Sequence, residues 1–457
     1  MKFKRIKNLY LVGIGGTGMC GIAEVLHNSG YKVSGSDMKK TETTEYLEGL
    51  GIKVNYSHDP NNVSGSDVIV ISSAVGEDNP EVIAARTEKI PVIRRAEMLA
   101  ELMRMKFSIA IAGTHGKTTT TSLIGHILRA GNLDPTVIVG GRVLGVGANA
   151  YLGKGDYLVA EADEFDRSIT KFFSTVAVIT NIEAEHMECY RDIDDLYDCF
   201  VEFGNRVPFY GTVILCTDDP GVRLIEPRIT RPMIRYGFAD HADFSANDIK
   251  FDDLGLSFTL LNKGQEIGKV HSPLYGNHNV RNILAGLAVA YDLEIPMDIA
   301  IKAVGTFTGV GRRLELAGEI EGVRFYDDYG HHPTEIKATL QGMRSVFPGR
   351  LVAVFQPHLF TRTIRLYKDF GGAFFDADML VILDIFPSRE KPIDGVTGRI
   401  VARSAKDQGH QNVNFIEDKE TLPEFMKTNL KPGDRVILFG AGDINKYTPK
   451  IIEKMKE

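Results

Sequence analysis

Gly113-Thr114-His115-Gly116-Lys117-Thr118-Thr119-Thr120 decides the architecture. It stands directly after an apolar run at 109–112. It stands just before Leu123, Ile124, Ile127 and Leu128, which share one helical face. Strand, glycine turn and helix in that order aim backbone N–H groups and a helix dipole at one point, where an anion is favoured. Lys117 is placed to reach β- and γ-phosphates, and the Thr118 hydroxyl suits Mg²⁺. The match to the standard phosphate loop is partial: its first glycine falls on Ile111, so only G-x-x-G-K-T-T remains. The bland alternative is a helix that merely starts at a Gly/Thr-rich turn.

Working outward, apolar runs of strand length recur at 9–14, 68–72, 157–160, 176–180, 351–355, 379–383 and 436–439. Uninterrupted Val/Ile/Leu runs suit strands covered on both faces, as in a parallel sheet. Helical patterns lie between them, with Met19, Ile22, Ala23 and Leu26 on one face and Ile336, Leu340 and Met343 on another. The alternation predicts an α/β fold. Three stretches each form such a unit: 1–105, 106–310 and 311–457.

Composition narrows the function classes. The 457 residues are 43% hydrophobic and 25% charged, as in ordinary globular domains. A net charge of −7 argues against a general nucleic-acid binder. Cys20, Cys189, Cys199 and Cys216 show no C-x₂-C pair, which favours reduced thiols. The first apolar run stops at Gly13, too soon for a signal-peptide core, and no run reaches the length of a membrane span. The expectation is a cytoplasmic protein with no membrane partner. Monomer and homodimer both stay open.

A second glycine turn, Gly13-Ile14-Gly15-Gly16-Thr17-Gly18, satisfies G-x-G-x-x-G, and Asp37 follows at the distance of a ribose-binding acid. Read alone it is an NAD site. The same backbone donors hold any diphosphate, so the motif specifies a diphosphate nucleotide and not nicotinamide. A purely structural turn is the other reading. Gly440-Ala441-Gly442-Asp443 is assigned no ligand.

Polar clusters follow several strand patterns. Glu161-Ala162-Asp163-Glu164 is placed to hold Mg²⁺ if its strand lies beside the phosphate loop, and is otherwise a solvated loop. Asn181-Ile182-Glu183-Ala184-Glu185-His186-Met187 offers His186 to a metal or a phosphate. His186 and Cys189 have no second Cys/His pair to make a zinc site. In the last third, Arg312-Arg313, Asp327-Asp328-Tyr329-Gly330-His331-His332-Pro333, Gln356-Pro357-His358 and Thr361-Arg362-Thr363 gather acids, histidines and arginines. Arginine clamps carboxylates and phosphates in a bidentate way.

Taken in order, these pieces resemble the Mur ligases across essentially the whole chain. The motifs that carry the resemblance are GIGGTGM (13–19), SSAV (72–75), GTHGKTTTT (113–121), EADE (161–164), EAEHM (183–187), GNHNVRN (276–282), GVGRR (309–313), DDYGHHPTE (327–335) and FQPH (355–358). Within the family they look like the branch that adds L-alanine to UDP-N-acetylmuramic acid. The resemblance implies an N-terminal Rossmann-like domain for the UDP substrate, a central P-loop ATPase-like domain and a C-terminal Rossmann-like domain that closes on ATP and the amino acid.

It also implies site residues. The UDP substrate falls to Gly13, Gly15, Gly16, Thr17, Gly18, Asp37 and Ser73. ATP falls to Gly113, Thr114, His115, Gly116, Lys117, Thr118, Thr119, His278, Asn279, Asn282, Arg313 and Asp328. Thr118, Glu161 and His186 are the implied Mg²⁺ ligands, and Tyr329, His331 and Arg362 surround the muramoyl and alanine end. Lys117, Glu161, His186 and His331 are the candidate catalytic set, with His331 the candidate base for the amine.

Two departures matter. Most of the family carries a carbamylated lysine just after the metal histidine, but no lysine lies between Lys171 and Lys250. That matches the alanine-adding branch. Leu359 stands where many relatives have arginine, which leaves Arg362 to meet the alanine carboxylate. A recycling ligase that attaches a tripeptide to the same sugar nucleotide is the nearest rival. An NAD-dependent oxidoreductase leaves 113–118 unexplained, and a P-loop switch leaves the C-terminal His/Arg clusters unexplained.

Overall fold

The computed structural model describes residues 3, 5–72, 74–139, 150, 151, 153–185, 187, 189–388 and 390–457. Among them the chain forms three α/β domains, each built on its own sheet. The first sheet has five parallel strands in the order Lys53–Asn55, Lys32–Ser36, Asn8–Val12, Val68–Ile71, Val92–Arg94. The first strand lies centrally, so the turn after it opens at a point where the strand order reverses.

The second sheet centres on Phe107–Ala112, flanked in parallel by Val176–Ile179 and Tyr157–Glu161. Thr212–Cys216 and Met233–Tyr236 extend it on one side, Thr136–Ile138 and Ala150–Tyr151 on the other. Beyond Met233–Tyr236 come Phe244–Asp252, Gly255–Asn262 and Gln265–Ser272. The sequence reading did not anticipate these last three: in the first and third the apolar residues are sparse and partly exposed, while the middle one buries Leu256, Phe258 and Leu260 and was simply passed over. A signal was present. Lys263 and Gly264 both take positive φ, 48° and 78°, in a two-residue hairpin turn.

The third sheet runs Glu315–Ile320, Val323–Asp328, Arg435–Phe439, Leu351–Phe355, Met379–Leu383, Val413–Ile416. Its first pair is antiparallel and the rest parallel.

By packing, the chain divides into two compact units. One comprises Met1–Ile249, Ser257–Pro273 and Val280–Thr308. The other comprises Lys250–Leu256, Leu274–Asn279 and Gly309–Glu457. The first two sheets share the first unit because one apolar core runs through both, from Leu9 to Ile229. The helix Arg95–Arg104 contributes to it, burying Met98, Leu99, Leu102 and Met103.

Candidate active site

The end of Val176–Ile179 grips the phosphate loop. Asn181 accepts the Thr114 N–H on its carbonyl (3.0 Å) and the His115 N–H on Oδ1 (2.8 Å). Thr180 Oγ1 donates to the His115 carbonyl at 2.7 Å. The Glu183 N–H donates to Thr114 Oγ1 at 2.9 Å. Sequence reasoning gave Thr114 and His115 to the nucleotide. Here their N–H groups are occupied by Asn181, so the donors for a phosphate come from the start of the helix Lys117–Ala130, which no side chain caps.

Both loop glycines are required by space as well as by φ. A Cβ on Gly113 (φ +133°) would stand 2.1 Å from Thr180 Oγ1, and one on Gly116 (φ +81°) would stand 2.7 Å from Asn282 Oδ1. Asn282, buried in the helix Asn277–Asp292, also accepts from Thr120 Oγ1 at 3.2 Å. The fold thus brings Asn282 to the loop. His278 and Asn279 lie in the first turn of the same helix, where Asn279 Nδ2 donates to the Tyr275 carbonyl.

Glu161 ends the strand Tyr157–Glu161 and pairs in register with Ile111, two residues before Gly113. Its carboxylate therefore emerges at the loop entrance, and Thr118 follows in the first helical turn. His186, the third implied metal ligand, lies outside the described residues, as does Ser73.

Lys117 turns back over its own loop. Its ammonium donates to the Gly113 carbonyl and, at 3.2 Å, to the Thr114 carbonyl. It also pairs with Glu164 at 2.9 and 3.1 Å, with side-chain exposures of 16% and 2%. Burial alone would lower the lysine pKa, but Glu164, with Asp163 and Glu161 behind it, raises it instead. The ammonium is charged at every working pH. The sequence reading took Glu164 only as part of an acidic run placed to hold Mg²⁺, because nothing in 161–164 tells which acid faces the lysine.

The turn after the first strand is held by residues 36 and 37. The Ser36 carbonyl accepts the Gly13 and Ile14 N–H groups at 2.8 and 2.9 Å, and Asp37 Oδ2 accepts that of Gly15 at 3.0 Å. Gly16 precedes the helix Thr17–Asn28 with no side-chain cap and no acid in the first turn. A Cβ on Gly18 would stand 2.5 Å from Arg95 Nη1. Arg95 Nη2 reaches toward Asp163 at 3.9 Å, and no hydrogen bond holds the guanidinium among the described residues. A half-buried cation against a positive helix end is unfavourable until an anion arrives. Sequence reasoning missed Arg95; its signal was Arg94-Arg95 opening a helix, where acids are preferred.

In the C-terminal unit, Asp328 is buried and accepts the Leu314 N–H (2.9 Å) and the Gly330 N–H (2.7 Å). Burial pushes its carboxyl up to about 6, against the pull of Arg313. Arg313 pairs with Glu335 at 3.3 Å. The guanidinium carbons of Arg312 and Arg313 lie 5.1 and 5.5 Å from the centre of the Tyr329 ring. His331 packs edge-on to Tyr329 at 5.4 Å and 6.3 Å from His358. Its Nδ1 meets the Tyr329 carbonyl at 3.1 Å. A carbonyl only accepts, so that contact puts a hydrogen on Nδ1. Arg362 lies in the first turn of the helix Phe360–Gly371. Leu359, just before it, is held at φ +70° with its N–H on the Phe386 carbonyl. Such backbone strain in a non-glycine residue costs roughly 1–3 kcal/mol and gathers at ligand sites.

Comparison with known proteins matches three family models in succession: "Mur ligase family, catalytic domain" over residues 8–107, "Mur ligase middle domain" over 111–290 and "Mur ligase, glutamate ligase domain" over 312–442. The UDP-N-acetylmuramate–L-alanine ligase of Geotalea daltonii is 49% identical over 455 residues, covering 100% of this chain and 99% of that one. Its counterpart in Geobacter sulfurreducens is 47% identical over 457 residues, covering 100% and 99%. Among solved structures, the UDP-N-acetylmuramate–alanine ligase of Thermotoga maritima superposes with a TM-score of 0.83 at 27% identity, covering 99% of each chain. A murein peptide ligase of Psychrobacter arcticus shares the fold, with a TM-score of 0.73 at 22% identity and 98% coverage of each.

Proposed function

The chain belongs to the Mur ligase family, and from that premise we propose that it joins L-alanine to the lactyl carboxylate of UDP-N-acetylmuramic acid. The reaction consumes ATP and yields UDP-N-acetylmuramoyl-L-alanine, ADP and phosphate, an early step of peptidoglycan synthesis. The observation that carries this is full-length identity of 45–49% to ligases of that name. The murein peptide ligase, whose name fits the recycling rival, shares only the fold at 22%. A hydride-transfer reading would leave the phosphate loop and its buried lysine without a task.

The chemistry sets what the residues do. A carboxylate is a poor electrophile, so its oxygen first attacks the γ-phosphorus of ATP, releasing ADP and forming an acyl phosphate. The neutral amine of alanine then attacks the carbonyl carbon, and the tetrahedral intermediate expels inorganic phosphate. Lys117 and the donors at the start of its helix offset the charge on the transferred phosphoryl group. His331 Nε2 takes the proton from the amine. Arg362 receives the alanine carboxylate, Tyr329 lines the muramoyl end, and Arg313 and Asp328 serve the nucleotide with His278, Asn279 and Asn282. The glycine turn at 13–18 holds the diphosphate of the UDP substrate, with Arg95 as its counter-charge.

Mg²⁺ belongs to the same proposal. Thr118 and Glu161 offer hard oxygen donors at the loop entrance, the donor chemistry this ion selects, and His186 joins them by family resemblance. When bound, the ion would screen the phosphates and polarise the group being transferred. No helix among the described residues is long and apolar enough to cross a membrane, and we place the enzyme in the cytoplasm.

The test is phosphate release by the full chain with ATP, Mg²⁺ and UDP-N-acetylmuramic acid, supplied in turn with each amino acid and with the tripeptide. Release that depends on L-alanine is expected. Release with the tripeptide and none with alanine would move the chain to the recycling branch.

A further inference from the structure

Beneath the first glycine turn lies a carboxylate that the reaction does not use. Glu81, in the helix Pro80–Thr87, has no exposed surface. Its Oε1 accepts from the Tyr10 hydroxyl and from Asn62 Nδ2, both at 2.8 Å. Its Oε2 accepts from the Ser36 hydroxyl at 2.6 Å and from His58 Nδ1 at 2.8 Å. Four donors on two oxygens fit an ionised carboxylate. Burying such a charge is costly, and a well-packed apolar side chain would often serve stability as well or better. The group therefore needs another reason to be there.

The reason lies one bond away. Ser36, also wholly buried, presents its hydroxyl to Glu81 and its carbonyl to the Gly13 and Ile14 N–H groups. Asp37, the next residue, takes the Gly15 N–H. The Asp37 N–H in turn donates to the Asn55 carbonyl at 2.9 Å, and the Asn55 side chain donates to Tyr10 at 3.3 Å. Three successive N–H groups of the turn thus hang on residues 36 and 37, and both of those are tied into the network centred on Glu81. The side chains come from different elements: Tyr10 from the first strand, Ser36 from the second, and Asn62 from the short helix Pro60–Val63. Only a shared acceptor fixes all of them at once.

We propose that Glu81 is a positioning residue for the nucleotide-sugar substrate, setting through Ser36 the height and tilt of the turn that receives the diphosphate. The proposal rests on the reading that this turn holds UDP-N-acetylmuramic acid. Glu81→Gln keeps the shape but sets an N–H₂ against two of the four donors. Ser36→Ala cuts the link to the turn and leaves the carboxylate three donors.

The experiment is calorimetric titration of the full-length chain with UDP-N-acetylmuramic acid and, separately, with a non-hydrolysable ATP analogue. Wild type, Glu81→Gln, Ser36→Ala and the double variant are compared, each with its melting temperature. Glu81→Gln is expected to weaken sugar-nucleotide binding about 10-fold, the worth of roughly one hydrogen bond, and to leave the ATP analogue unaffected. Ser36→Ala should shift the same constant, and the double variant should bind no more weakly than the worse single one, because the two act through one path. A lowered melting temperature with unchanged sugar-nucleotide affinity in both single variants makes the network purely structural and overturns the proposal. Additive losses overturn the route through Ser36. If Glu81→Gln does not fold, Ser36→Ala carries the comparison alone, and unchanged affinity there counts against it. A wild-type chain that binds the ATP analogue but not the sugar nucleotide removes the substrate reading itself, which the variants by themselves cannot do.

Discussion

Replacing Glu164 by Gln tests how the phosphate loop is kept ready for its ligand. The Lys117 ammonium has spent its donors on the Gly113 and Thr114 carbonyls and on Glu164. The pair is almost fully buried on the acid side, so it is not one of the exposed ion pairs that contribute little. Removing one partner of a buried pair costs about 3–5 kcal/mol. Gln still accepts one hydrogen bond, which brings the expected loss to about 2–3 kcal/mol. For a domain of this size that is a fall of roughly 4–12 °C in the melting temperature.

The γ-phosphate then enters the argument with the opposite sign. In the wild type it competes with a carboxylate already seated on the lysine, and two like charges about 4 Å apart repel by roughly 4 kcal/mol at an effective dielectric of 20. In the variant no carboxylate has to give way. Glu164→Gln should therefore bind ATP more tightly, by about 10-fold or more. Saturating ATP should also narrow the gap in melting temperature between the two proteins. Thermal unfolding with and without Mg²⁺-ATP, together with a direct titration, reads both effects. Weaker ATP binding in the variant would refute the reasoning and place Glu164 among the groups that hold the nucleotide or its ion. An unchanged ligand-free melt would show that the pair contributes nothing.

Two further outcomes are expected. Arg95→Ala should raise KM for UDP-N-acetylmuramic acid by about 10- to 100-fold, the worth of a charge-assisted contact, with KM for ATP unchanged; steady-state kinetics with each substrate varied will show equal shifts in both if Arg95 only fastens the packing. Asp328 has its carboxyl pushed from the ordinary 3.8 to about 6 by burial. The folded chain therefore binds more protons than the unfolded one between those values, so this residue's contribution to stability falls as pH rises through that window and stays low above it. Asp328→Asn should flatten that part of a urea-unfolding series across pH, and a wild-type slope in the variant would remove the burial argument.

Much of this was legible in the chain itself, for a physical reason. Parallel strands covered on both faces must be apolar throughout, so 351–355 and 379–383 were bounded to the residue. A glycine turn between strand and helix is a compact, local pattern, so the two turns at 13–18 and 113–116 stood out as well. The strands Phe244–Asp252 and Gln265–Ser272 did not, because sparse, half-exposed apolar residues leave only a weak trace. Partners across space were illegible too. Nothing in Glu161-Ala162-Asp163-Glu164 says that the last acid meets Lys117, 47 residues away. Nothing in Arg95 says that it lies over Gly18.

Asp37 shows why a motif at the right spacing still needs its contacts. An acid after G-x-G-x-x-G is the mark of a ribose site when its oxygens face a dinucleotide. Here Oδ2 accepts the Gly15 N–H and Oδ1 accepts the Lys39 N–H at 3.3 Å, so both oxygens already serve the backbone around them. The carboxylate is part of the turn's construction. A Cβ on Gly15 would come within 2.8 Å of that same Oδ2, which leaves glycine as the residue that permits the contact. The spacing that reads as nicotinamide recognition arises from a different need: an acceptor for the third N–H of a turn whose first two already rest on Ser36. The cation over the helix start, Arg95, is the group we propose to meet a diphosphate there.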